Sequence, residues 1–161
     1  MATRKANKGF TLVEILIVVV ILGILAAIVI PQFTSASESA RASSTVSQLQ
    51  AIRSQLELAQ VDHLGEYPDL VANGWDEMTQ ETERDYSTET DDSGNEEGPY
   101  MRKPPVNAFT GTANVVASGT TPTTSDGWVY DKATGEILAV VPAGAVEQHE
   151  LDANDVVELE E

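Results

Sequence analysis

The sequence contains no cysteine, and aromatic side chains make up only 6% of its 161 residues. The absence of cysteine excludes a disulfide framework and thiolate chemistry, so the compartment in which the chain works has to be inferred from other features. This length corresponds to about one domain. Because a large share of the apolar residues lies in the first fifth of the chain, the remainder must build a small core from few large side chains.

Basic residues are scarce, with 9 Lys and Arg against 26 Asp and Glu and a net charge of −17. Three of the nine, Arg4, Lys5 and Lys8, precede Gly9, which leaves six against all 26 acidic residues and a net charge of −20 in the rest of the chain. Nucleic-acid binding needs Lys and Arg to displace counterions from phosphates. The charge therefore argues against a nucleic-acid partner and indicates a well-solvated surface, whose self-repulsion dissolved salt would screen.

Catalytic and metal-binding patterns are missing from the sequence as well. The two histidines, His63 and His149, stand far apart with no ligand spacing around them, and there is no Gly-rich phosphate loop or nucleophile motif. Paired carboxylates such as Asp91 and Asp92 occur in a stretch typical of solvated loop, where acid–base catalysis would lack the fixed geometry that it needs. We therefore predict no catalytic residues, no metal site and no enzyme activity.

What the sequence does have is a long hydrophobic segment near its N-terminus. Residues Ile15–Ile30 carry no polar side chain, and with Phe10, Leu12 and Val13 the segment reaches the roughly 20 residues that cross a bilayer as a helix. The basic residues before it would stay in the cytoplasm and send the longer C-terminal part outside. A cleaved secretory signal peptide and a plain signal anchor are two interpretations, but neither gives a reason for the carboxylate of Glu14 inside the segment.

The stretch GFTLVE, Gly9–Glu14, followed by the apolar run, resembles the N-terminal motif of prepilins, the precursors of type IV pilins and type II secretion pseudopilins. The resemblance implies cleavage after Gly9 by a prepilin peptidase, N-methylation of the new N-terminal Phe10, and assembly into a filament. It also implies a partner for Glu14, the fifth mature residue, in the amine of a neighbouring subunit's Phe10. A carboxylate in a bilayer is energetically costly and usually marks function. The alternative is that the Glu14 side chain only extends to the membrane interface and has no partner in another subunit.

A helix is predicted to continue beyond the hydrophobic run. Apolar residues recur at three- and four-residue steps over 46–59, which is typical of an amphipathic helix, and Gly65 and Pro68 would end it. Inside the helix, Pro31 removes a backbone hydrogen bond and Gly23 weakens the preceding turns. The interval between these two residues is predicted to kink or melt. The resemblance implies that it unwinds in assembled filaments. The alternative is a static kink in a continuous helix.

Residues 65–145 are predicted to form the globular head. Within it, 70–79 should be a short helix or loop that packs Trp75 on the core, and 76–98 an acidic, solvated loop. The loop's DDSGNEE run offers oxygen ligands for calcium but lacks the EF-hand spacing, so no cofactor is expected and calcium is the alternative.

The segment Gly98–Gly111 (GPYMRKPPVNAFTG) resembles the pseudopilin segment that leads into the sheet, and its two consecutive prolines make it an edge or extended connector.

The clearest strand pattern lies in the second half of the head. Trp128–Tyr130 and Glu136–Val141 are predicted strands joined by a turn at Gly135. Because a lone hairpin is marginally stable in water, it should pack on the amphipathic helix, with a third strand at residues 115–116. The tail 146–161 is acidic, lacks Lys and Arg, and is predicted to be frayed and solvated, with a docked helix as the alternative.

The sequence thus predicts an α+β, pilin-like fold with a small antiparallel sheet. Its parts are a leader peptide 1–9, a transmembrane or filament-core helix 10–33, an amphipathic helix 34–64, the head 65–145 and the tail 146–161. The resemblance implies a single-pass inner-membrane protein with a periplasmic or extracellular head. Its partners would be further copies of itself, the prepilin peptidase and the secretion or pilus assembly machinery.

The predicted function is that of a structural subunit of a type II secretion pseudopilus. A type IV pilus subunit and a single-pass anchored periplasmic binding or sensing module are the alternatives. The small, cysteine-free head and the GPY segment favour a pseudopilin. The resemblance also leads one to expect an acidic calcium loop between the later strands, but residues 112–126 contain one acid, Asp126, which puts such a site in doubt.

Overall fold

A computed structural model of the protein describes residues 9–86 and 96–160. The elements are α1 (Leu12–Asp62), α2 (Asp76–Thr79), β1 (Val115–Ala117), β2 (Trp128–Asp131), β3 (Glu136–Val141), α3 (Ala145–His149) and β4 (Val156–Glu158). The chain divides into two compact units, Met1–Glu38 and Ser39–Glu161, and α1 begins in the first and ends in the second. The leader peptide except Gly9, and residues 87–95 of the predicted acidic loop, lie outside the described residues.

In the first unit, the apolar side chains of α1 have no core to enter. The large ones are all exposed, from 41% for Val29 to 80% for Leu12, and the helix is long and apolar enough to cross a membrane. The long apolar helix predicted from the sequence is therefore confirmed. The helical backbone includes Gly23 and Pro31, so the kinking or melting of that interval stays a prediction.

In the second unit, α1 contributes one side of a single hydrophobic core. Leu49, Ile52, Leu56 and Ala59 are at most 1% exposed, which confirms the amphipathic pattern. The helix ends where the sequence predicted, because Gly65 takes a left-handed φ of 91° and donates its N–H to the carbonyl of Gln60 at 2.8 Å. The core also holds buried side chains from the rest of the unit, among them Leu70, Trp75, Met78, Trp128, Tyr130 and Ile137.

The sheet has four strands in the order β1-β2-β3-β4. β2 and β3 form the predicted antiparallel hairpin, with Trp128 opposite Ala139 and Gly135 at a φ of 74° in the turn. β1 lies parallel to β2, and β4 lies parallel to β3. The α+β prediction is confirmed, but the sheet is mixed and not antiparallel, because the connections 118–127 and 142–155 return the chain to the end where the neighbouring strand begins.

The prediction of a frayed C-terminal tail is wrong. The tail forms most of α3 and all of β4, and Leu151 and Val156 are 9% and 7% exposed. Asp155 binds the guanidinium of Arg53 at 2.7 Å, and the same guanidinium donates to the carbonyl of Ile137 at 2.9 Å. The tail docks because its apolar residues reach the core. In addition, Arg53 of α1 supplies a positive charge, which the tail lacks because it contains no Lys or Arg. The alternative of a docked helix anticipated α3 but not the strand β4.

The segment that leads into the sheet is held by a buried amide. Gly98–Gly111 contains no strand, as its prolines predicted, and its Asn107 is fully buried. The Asn107 side chain donates to the carbonyls of Gly127 at 2.7 Å and Val140 at 2.8 Å, and its oxygen accepts the N–H of Phe109. Asn107 therefore ties this segment to the backbone at the start of β2 and within β3, and its buried amide has hydrogen-bond partners for both its nitrogen and its oxygen.

Candidate functional site

The predicted cleavage bond lies just before α1. Gly9 and Phe10 are outside the helix and exposed, and the Phe10 side chain is 83% exposed. A Cβ placed at Gly9 would meet no atom of the described residues within 4 Å. The bond between these residues is thus in non-helical, accessible backbone, which is the form in which a peptidase can bind a chain.

Glu14 lies in the first turn of α1 and closes a reciprocal capping box with Thr11. The N–H and the hydroxyl of Thr11 both donate to Oε2 of Glu14 at 2.8 Å, and the N–H of Glu14 donates to the Thr11 hydroxyl at 3.2 Å. Such a box satisfies N–H groups that a helix start leaves without partners. The negative charge also suits the positive end of the helix dipole.

The described residues place no Lys, Arg or His within ion-pairing distance of Glu14. The described contacts of the carboxylate are therefore hydrogen bonds from its own helix start. Of the residues predicted as sites, Gly9, Phe10 and Glu14 come together at this helix start. Gly23 and Pro31 lie further along α1.

In the head, the histidine that follows α1 is a core residue. His63 is fully buried, stacks on Tyr86 with 3.8 Å between ring centroids, and lies 3.3 Å from the Thr82 hydroxyl through Nε2. Burial raises the pKa of the Tyr86 and Tyr100 hydroxyls well above the usual range, so both phenols stay neutral hydrogen-bond donors. The stacking of Tyr86 on His63 therefore anchors the chain at residue 86.

Residues 9–86 and 96–160 hold no group of three or more His, Asp or Glu residues arranged to bind a metal ion. The DDSGNEE run lies mostly outside these ranges, so its calcium hypothesis stays untested. The lone acid of the segment 112–126 is engaged in its own turn, because Asp126 accepts the N–H and the hydroxyl of Thr123 at 2.8 and 2.7 Å.

Comparison with known proteins finds similarity that includes this helix start. A family model described as the prokaryotic N-terminal methylation motif matches residues 4–30. Type II secretion system core protein G of Pseudomonas aeruginosa is 43% identical over 65 residues, which are 40% of this chain and 45% of the relative. A fimbrial protein of Pseudomonas aeruginosa is 47% identical over 55 residues, which are 34% of this chain and 36% of the relative. Type IV major fimbrial protein FimA of Dichelobacter nodosus is 39% identical over 72 residues, which are 45% and 44% of the two chains.

No solved structure matches the chain. The matched segments span less than half the length of each of these curated relatives. The family model covers the bond between Gly9 and Phe10, the capping box and the apolar run Ile15–Ile30. The chain therefore carries a prepilin-type N-terminal methylation motif and is similar, over part of its length, to type II secretion pseudopilins and type IV fimbrial proteins.

Proposed function

We propose that this chain is a structural subunit of a pilus-like filament that assembles from the inner membrane. The observation that carries the proposal is that two features occur in the same segment. Residues 4–30 match the methylation motif, and they include the N-terminal part of α1, where every large apolar side chain is exposed in the part of the chain that the structure describes. Such a helix needs lipid before assembly and neighbouring helices afterwards, because water would have to cover its whole apolar surface.

Assembly begins with the precursor spanning the membrane and its acidic head outside. A prepilin peptidase cuts between Gly9 and Phe10, and the new terminal amine is methylated. That amine pairs with the carboxylate of Glu14 in a neighbouring subunit. Each charge alone is costly in a low-dielectric environment, and the pair satisfies both of them, so subunits are drawn into one register. The chain's contribution is structural and needs no catalytic residue of its own.

Within this class, a subunit of a type II secretion pseudopilus is the preferred function. The similarity to core protein G of two organisms, Pseudomonas aeruginosa at 43% and Dickeya chrysanthemi at 41% identity, supports it. The GPY segment and the cysteine-free head support it as well. A type IV pilus subunit is the second candidate, favoured by the similarity to the fimbrial proteins. An anchored periplasmic binding module has no such support.

Processing by the peptidase is the first testable consequence. When the chain is produced together with an active prepilin peptidase, intact mass analysis of the membrane-extracted protein should give a chain that begins at methylated Phe10. The Gly9→Leu variant should keep Met1–Gly9, because it changes the residue before the cleaved bond, and a Cβ at this position has no described atom within 4 Å that it would disturb. A wild-type chain that still carries Met1–Gly9, beside a control prepilin that is cleaved, contradicts the proposal.

A further inference from the structure

The two oxygens of the Glu14 carboxylate are used unequally. Oε2 accepts two hydrogen bonds from Thr11, one from its backbone N–H and one from its hydroxyl, both at 2.8 Å. Among the residues that the structure describes, none donates a hydrogen bond to Oε1. One oxygen is therefore fixed within its own helix start, and the other keeps its capacity to accept a hydrogen bond from another chain.

We propose that Thr11 is a positioning residue for Glu14, and that it holds Oε2 so that Oε1 receives the amine of the neighbouring subunit. The inference rests on the proposed function, because it concerns the pairing of Glu14 with a freed Phe10 amine. A glutamate side chain loses rotamer freedom when it pairs, and this loss opposes association. The capping box imposes that ordering before the neighbour arrives, so less ordering remains to oppose the pairing step.

The capping box survives the predicted processing. Thr11 and Glu14 both lie on the mature side of the bond between Gly9 and Phe10, so removal of residues 1–9 deletes none of the three hydrogen bonds. The box also gives Oε2 two hydrogen bonds while the subunit is alone in the membrane, where an unsatisfied polar group is costly. Thr11 thus serves the unpaired subunit and the pairing step with the same contacts.

The Thr11 hydroxyl can be removed with little change in shape. Thr11→Val keeps the β-branched side chain and the backbone N–H but lacks the oxygen, whereas Thr11→Ser keeps the oxygen and is the matched control. Loss of a capping hydroxyl typically shifts a helix-start equilibrium about fivefold. We expect Thr11→Val to lower the amount of Glu14 paired with a neighbour about fivefold per processed subunit, and Thr11→Ser to stay close to wild type.

The pairing can be measured directly in membranes that hold the processed full chain. A membrane-permeable carbodiimide activates the Glu14 carboxyl, and a nearby amine then forms an amide with it. Mass spectrometry counts the branched peptide that joins the Phe10 nitrogen of one copy to Glu14 of another. Mixing isotope-labelled and unlabelled copies separates links between subunits from links within one subunit, and Glu14→Gln provides the blank.

The outcomes separate this inference from the function on which it rests. A fivefold loss of links between copies in Thr11→Val, with Thr11→Ser unchanged, supports the positioning role. Equal yields in all three chains, or an equal loss in both variants, overturns it. The positioning role is also overturned if Thr11→Val lowers only the amount of processed subunit and leaves the links per processed subunit unchanged. That result would mean that Thr11 caps the helix and has no part in the pairing. Absence of links between wild-type copies that are processed contradicts the proposed pairing itself.

Discussion

Replacing Glu14 with alanine is expected to abolish filament assembly and to leave cleavage after Gly9 intact. The substitution removes the only acid among residues 1–37, so the amine of a neighbouring subunit would enter the filament core without a partner. Breaking a buried ion pair by deleting one partner costs about 3–5 kcal/mol per contact. Cleavage should persist because the bond between Gly9 and Phe10 lies outside α1 and is exposed.

Two further variants at this position separate charge from shape. Glu14→Gln keeps the length of the side chain and an oxygen for the capping box but carries no charge, so it should also fail to assemble. Glu14→Asp keeps the charge on a shorter side chain and should assemble in part. The measurement is the amount of filament in the sheared fraction of cells, relative to the amount of processed subunit in the membrane. Wild-type amounts of filament from Glu14→Gln would show that the amine partnership is wrong.

Removal of the C-terminal tail is expected to unfold the head. A chain that ends at Ala143 lacks α3 and β4, so β3 loses its parallel neighbour and Arg53 loses Asp155. Burial of Leu151 and Val156 contributes roughly 1.5–3 kcal/mol for each side chain, while domains of this size are stable by about 5–15 kcal/mol in total. The deletion should therefore remove most of the stability of the second unit.

The fluorescence of the two tryptophans reports this unfolding without interference from the membrane helix. Trp75 and Trp128 are 5% and 0% exposed, so their emission should shift to that of solvated indole in the shortened chain at temperatures where the full chain stays folded. Deletion of Glu160 and Glu161 is the matched control, because it removes two acids and leaves β4 complete. A shortened chain with the same thermal midpoint as the control would mean that the tail does not stabilise the head.

The parts of the fold that follow from local pattern could be predicted from the sequence. The apolar run, the three- and four-residue spacing of Leu49, Ile52 and Leu56, and the turn at Gly135 each act within a few neighbouring residues. The parallel pairing of β1 and β4 with their neighbours and the docking of the tail could not be predicted in this way. They depend on contacts between distant residues, such as the pair of Arg53 and Asp155, which are separated by 102 positions.

The candidate site divides in the same way. The importance of Glu14 follows from the sequence alone, since an acid in a hydrophobic run requires a reason. The Thr11-x-x-Glu14 spacing is also a recognised sequence signature of a capping box, so the role of Thr11 in the single chain could have been predicted from it. The proposed partner cannot be read from one folded chain, because the amine arises only after cleavage and belongs to another copy.

The central claim is that this chain becomes a filament subunit through its processed N-terminus, and one measurement tests it most directly. Filaments sheared from cells that produce the chain are purified, and the intact mass of their subunits is determined. The account predicts this chain in the filaments, beginning at methylated Phe10. Filaments built from subunits that retain Met1–Gly9, or a processed chain that stays in the membrane and never enters a filament beside an active assembly machinery, would contradict it.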